Sequence, residues 1–174
     1  MKHVVFSFVI VGILLVSKVT YAQGEPPTAR AELVNSQGQK VGHAVLTEEP
    51  DGVKISLQVS QLPAGPHAFH IHAVGQCEAP DFKSAGSHFN PYGKKHGMKN
   101  PEGPHAGDLP NLEVGPDGTG KLEVVTRGIT LGEGENSLFH SGGTSIVIHA
   151  GPDDEMTDPA GNSGARIACG VVTK

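Results

Sequence analysis

The 174-residue chain is 37% hydrophobic, 18% charged and 5% aromatic, with 24 Gly, 13 Pro, two Cys and no Trp. That apolar content supports one domain with one core and excludes intrinsic disorder, while the frequency of Gly and Pro excludes an all-helical fold. The net charge of −5, from 13 basic and 18 acidic residues, excludes nucleic acid and anionic membranes as partners, because both need basic surface.

From the N-terminus, Lys2 precedes an apolar run from Val4 to Val16, followed by Lys18 and the sequence Val19, Thr20, Tyr21, Ala22, Gln23. The run is shorter than the ~20 residues a spanning helix needs and suits a signal peptide cut after Ala22. Residues 1–22 are therefore expected to be a leader and 23–174 an exported domain, secreted or otherwise extracytoplasmic (extracellular, cell-wall space or periplasm). No stable membrane association is expected after cleavage. Loss of Lys2 and Lys18 takes the formal charge from −5 to −7. In an oxidising compartment the simplest account of Cys77 and Cys169 is one disulfide, closing a loop of about ninety residues and contributing roughly 4 to 5 kcal/mol in the chain-entropy account.

Beyond the leader, short alternating runs read as half-buried strands: Ala29, Ala31 and Leu33; Val53, Ile55, Leu57 and Val59; Leu122 and Val124; Ile146 and Ile148. Turn chemistry at Pro50-Asp51-Gly52, Pro63-Ala64-Gly65 and Gly115-Pro116-Asp117-Gly118 separates them. The fold class that follows is all-β, an antiparallel sandwich or barrel. Two segments lack any period, Val74 to Leu112 and Ala150 to Gly164, and loops of that length in a small domain carry function or disorder.

The chain has ten histidines, and their spacing directs attention to metal. His70 and His72 flank Ile71, so on a strand both imidazoles project from one face while Phe69 and Ile71 point the other way. His88, His96, His105 and Asp108 lie in the first long loop, and His149 follows the strand-like Ser145 to Ile148. Three His with one carboxylate can close a tetrahedral zinc site, and His70, His72 and His149 supply a second nitrogen site suited to zinc or copper. Serine-hydrolase chemistry is disfavoured because no Ser sits in a Gly-x-Ser-x-Gly elbow.

Several blocks carry a family resemblance: Phe69-His70-Ile71-His72 with Cys77 five residues on; Ser84-Ala85-Gly86-Ser87-His88-Phe89-Asn90-Pro91; His105-Ala106-Gly107-Asp108-Leu109-Pro110-Asn111; Ile148-His149; and Gly161-Asn162-Ser163-Gly164-Ala165-Arg166-Ile167-Ala168-Cys169-Gly170-Val171. Together they resemble exported copper/zinc superoxide dismutases of the bacterial type, over nearly the whole mature chain. The resemblance implies a Greek-key β-barrel or immunoglobulin-like sandwich of about eight strands with two long functional loops. It implies copper on His70, His72, His88 and His149, and zinc on His88, His96, His105 and Asp108, with His88 shared and catalytic. Arg166 matches the catalytic arginine beside copper, Asp153 the outer carboxylate linking the two sites, and Cys77 with Cys169 the family disulfide. The implied substrate is superoxide, converted to oxygen and hydrogen peroxide. By the same comparison His67 is a packing residue, and His43 and His140 match nothing functional. The alternative is an exported copper/zinc-binding protein of the same fold without turnover. Monomer and homodimer are both left open. Lys94, Lys95 and Lys99 are expected to be a solvated basic stretch more than a guide for substrate.

Overall fold

Alternation of buried and exposed side chains builds the sheet in the computed structural model, which describes residues 25–174. The expected leader lies outside the described residues. β1 (Thr28–Asn35) buries Ala29, Ala31 and Leu33, and β3 (Gly52–Val59) buries Val53, Ile55, Leu57 and Val59. β2 (Lys40–Glu49) lies between them, antiparallel to both. β4 (Gly65–His67) and β5 (Phe69–His72) are halves of one run interrupted at Ala68, whose N–H donates to the Gly151 carbonyl at 2.8 Å. β6 (Leu112–Val114), β7 (Gly120–Thr126), β8 (Ser145–His149) and β9 (Arg166–Val171) complete the set.

The strand order is β4-β6-β7-β3-β2-β1-β9-β8-β5, antiparallel throughout. Because β4 pairs with β6 at one edge and β5 with β8 at the other, the single run holding both nearly closes the sheet into a barrel. Closure protects the edge hydrogen-bonding groups that an open sheet would expose. Counting that run once leaves eight strand positions, and the pairings β1–β9 and β3–β7 are the Greek-key crossovers. The expected fold class is the one found. Among the described residues the single helical element is a short 3-10 turn, Lys83–Ala85.

The barrel interior holds Leu33, Leu46, Ile55, Leu57, Phe69, Ile71, Ile146 and Ile148 in one continuous core. β5 and β8 are buried on both faces. Their inward side chains join that core, whereas Val147 on the outer face packs with Phe82, Ala85 and Cys169 under a long loop. The outer wall of β5, β8 and β9 is therefore roofed by loops, and that roofed wall carries the histidines. The disulfide Cys77–Cys169 joins the roof to β9, with Cα atoms 5.6 Å apart.

Both expected long loops occur, and a third irregular stretch, 127–144, does too. Its Ile129, Leu131 and Leu138 are buried in the main core, so by composition it passes for ordinary core-forming chain.

Candidate metal centre

The strand period decides the first part of the site. His70 pairs with Val147 and His72 with Ser145, so both imidazoles stand on the outer wall of the barrel, and His149 follows at the end of β8 on the same side. The first long loop then lies along β5. Phe89 N–H donates to the Ile71 carbonyl at 2.8 Å, and Ile71 N–H donates to the Gly107 carbonyl at 2.9 Å. These two bonds set His88 beside His72 and Asp108 beside His70. Gly107 has to be glycine here, because a Cβ would overlap the Ile71 carbonyl.

Four imidazoles, those of His70, His72, His88 and His149, converge so that one ligating atom of each lies within 4.8 Å of the others. Each has a buried ring nitrogen without a hydrogen-bond partner: His70 Nδ1, and Nε2 of His72, His88 and His149. Their opposite nitrogens are occupied. His70 Nε2 lies 2.6 Å from Asp153 Oδ2, His72 Nδ1 2.9 Å from the Gly86 carbonyl, and His149 Nδ1 3.1 Å from the Gly164 carbonyl. A carbonyl oxygen only accepts, so the protons of His72 and His149 sit on Nδ1 and their Nε2 atoms present bare lone pairs. Burial is the main reason the rings stay neutral, pushing His72 down to about 2, His149 to about 3 and His88 to about 4. Leaving this many buried lone pairs unmatched is costly unless a cation takes them up.

The second cluster shares His88. Asp108 Oδ1 lies 2.8 Å from His88 Nδ1, 3.0 Å from His96 Nδ1 and 3.3 Å from His105 Nδ1. Ligands about 2.0 Å from a tetrahedral zinc are about 3.3 Å apart, so the separations of this set are those of a closed zinc site. The other carboxylate oxygen, Oδ2, accepts the N–H groups of Gly97 and His105, both at 2.9 Å. Burial opposes the ionised form of Asp108, but the hydrogen bonds from His105, His88 and Gly97 outweigh it and hold the carboxyl far below its usual range.

Asp153 ties the clusters together. Its Oδ2 meets His70 Nε2 at 2.6 Å and its Oδ1 meets His96 Nε2 at 3.0 Å. Sequence reasoning assigned Asn111 no part, yet it clamps Asp153: its Nδ2 donates to the Asp153 carbonyl at 2.9 Å and its Oδ1 accepts the Asp153 N–H at 2.8 Å. Gly161 was also missed; a Cβ there would run into the Asp153 carboxylate. The grouping of His70, His96 and Asp153 is thus a hydrogen-bond bridge between two clusters rather than a third ion site.

Arg166 Nη1 donates to the Phe82 carbonyl at 2.7 Å and Nη2 to the Gly86 carbonyl at 2.6 Å, so the disulfide-tethered roof holds the guanidinium. The Gly86 oxygen serves Arg166 and His72 together, and Gly86 adopts φ +75°, where a side chain would press on Val74. The remaining histidines stand apart from both clusters. His67 spans the carbonyls of His149 and Pro63 at 2.7 and 2.8 Å, His140 stacks on Phe89 with ring centroids 5.4 Å apart, and His43 faces Glu32 across β1 and β2. Of the three loop lysines, Lys95 reaches Asp158 at 3.4 Å and Lys99 reaches Glu155 at 2.9 Å. All three stay exposed, as expected of a solvated basic stretch, and two of them also pair with the second loop.

Residues 40–172 match the family described as copper/zinc superoxide dismutase (SODC). The chain belongs to the copper/zinc superoxide dismutase family. The superoxide dismutase [Cu-Zn] 2 of Aquifex aeolicus is 52% identical over 168 residues, spanning 95% of this chain and 97% of that protein. Among solved structures, a SOD-like protein from Bacillus subtilis is 41% identical with a TM-score of 0.79, covering 82% of this chain and 96% of that one. The Cu/Zn superoxide dismutase from Brucella abortus is 30% identical with a TM-score of 0.68, covering 83% and 99%. The seven side chains that the resemblance implies as ligands are those of the two clusters described above.

Proposed function

We propose that this chain is an extracytoplasmic superoxide dismutase in which His70, His72, His88 and His149 hold copper and His88, His96, His105 and Asp108 hold zinc. The observation that carries the reading is the set of four buried, unpartnered imidazole nitrogens facing one another beside a carboxylate-and-imidazole set that shares His88. Copper held there supplies one-electron cycling between two superoxide anions, and zinc, being d¹⁰, supplies charge and order without redox change. Superoxide and protons then become oxygen and hydrogen peroxide.

The chain's own residues account for the rest. Arg166 is half-buried and permanently charged, and with two donors tied to carbonyls it keeps others for a small anion. That local charge has to prevail over a global charge near −7, which salt screens beyond a Debye length of ~8 Å. With Nδ1 engaged by Asp108, His88 Nε2 on the side facing the first cluster is the atom at which the chain would take up a proton and pass it to the reduced product. Asp153 fixes the orientation of His70 and His96 and so keeps the two clusters in register. The disulfide and the leader-like N-terminus favour an oxidising compartment.

Metal analysis followed by a superoxide assay on the mature protein tests the proposal. One copper and one zinc per chain with copper-dependent dismutation is the expected result. Stoichiometric metal without turnover would leave a metal-binding protein instead.

A further inference from the structure

One polar side chain beside the metal ligands belongs to none of the roles above. Ser163, 2% exposed, precedes Gly164 at the end of the second long loop. The loop is sewn shut there: Gly151 N–H donates to the Ser163 carbonyl at 2.9 Å, and Ala150 N–H to the Ala165 carbonyl at 2.7 Å. The Ser163 hydroxyl therefore has a fixed position. It donates to the Ala160 carbonyl at 2.9 Å, and its oxygen lies 3.1 Å from His149 Nδ1. Because the Ala160 oxygen takes the hydroxyl proton, the hydroxyl oxygen is left to accept from the imidazole. His149 Nδ1–H thus has two acceptors, Ser163 Oγ and the Gly164 carbonyl, each at 3.1 Å.

His72 offers the internal contrast. Its Nδ1 has the Gly86 carbonyl alone, and Arg166 draws on that same oxygen at 2.6 Å. One of the two Nε2 donors is thus supported by two acceptors, while the other shares a single acceptor with a cation. Acceptors on the far nitrogen fix the tautomer and ring orientation and raise the basicity of the ligating one.

We propose that Ser163 is a positioning residue for copper: its hydroxyl locks His149 in the Nδ1–H tautomer and strengthens Nε2 as a donor. The inference rests on the assignment of His149 to copper. Its test begins with the metal-free protein, followed by imidazole NMR of His149 Nδ1–H in the parent and in Ser163→Ala. Copper affinity is then measured in both by chelator competition. Ser145→Ala is the control, since Ser145 loses a comparable hydrogen bond, to the Val74 carbonyl, in which no imidazole nitrogen takes part.

In Ser163→Ala the Nδ1–H resonance moves upfield and exchanges faster with solvent, and copper affinity falls about tenfold, the lower end for loss of such a support. Ser145→Ala leaves both readouts unchanged. A Ser163→Ala protein with the parent's resonance and affinity overturns the proposal. So does an equal effect of Ser145→Ala, which would mark the change as general loosening. Failure of the copper assignment itself looks different: copper added to the parent would leave the His70, His72, His88 and His149 resonances unperturbed.

Discussion

Acidifying the metal-free protein should destabilise it steeply between pH 7.5 and 5.5, and three buried rings set the size of the effect. His72, His149 and His88 are held neutral, at about 2, 3 and 4, mainly by burial. In the unfolded chain each returns to about 6.5. The unfolded state therefore binds more protons in this window, so the stability present above pH 6.5 is lost as pH falls toward the folded values. At one unit below 6.5 each ring costs about 1.4 kcal/mol, and three together cost about 4 kcal/mol. Carboxylates contribute little here, because their unfolded values lie near 4. For a domain of this size the change corresponds to a fall of roughly 8 to 16 °C in Tm. Urea titrations of the chelator-stripped, disulfide-intact protein at the two pH values give the difference directly. His72→Leu should remove about a third of it. Stability constant to within about 1 kcal/mol across the window would show that the three rings are not buried as neutral bases, and the cluster geometry would fall with that result.

Asp153→Ala should weaken both metals, each by about 10- to 100-fold in chelator competition, because His70 and His96 lose their common support; loss confined to one metal would contradict the bridge. Arg166→Ala should keep both metals and lower kcat/KM several-fold to tens-fold, an effect of roughly 1 to 2 kcal/mol on the barrier; unchanged kinetics would remove Arg166 from the site. The double change Lys95→Ala and Lys99→Ala should cost no more than about 2 kcal/mol of stability, as expected for exposed pairs, and leave the rate and its salt dependence as they were; a marked drop in rate at low salt would return those lysines to substrate guidance.

The histidine cluster was legible wherever a local rule applied. His70 and His72 were readable because a strand's period of two needs no knowledge of the rest of the chain, and the pattern of β3 was readable for the same reason. β2 escaped because its register shifts: Leu33 faces Gly42 while Val34 faces Lys40, so Val41 is an extra residue and the apolar alternation skips a beat. β9 escaped because Arg166 and Gly170 interrupt its apolar run. The roles of Lys95 and Lys99 depend on partners more than fifty residues away, Asp158 and Glu155, and no spacing rule connects them. Asn111 and Ser163 act through hydrogen bonds made only once the loops are folded back, and polar residues of that kind look like any others in a Gly-rich stretch. The family likeness supplied the ligand set that periodicity alone left open.

The placement of the imidazoles on the outside of the barrel wall divides the protein into two workshops that share a single partition of backbone. Phe69 and Ile71 serve the hydrocarbon side, His70 and His72 the other, and alternate residues of one short strand answer to different selective demands. The reactive half can therefore be retuned by exchanging outward side chains of β5 and β8, with Phe69, Ile71, Ile146 and Ile148 left in place behind them.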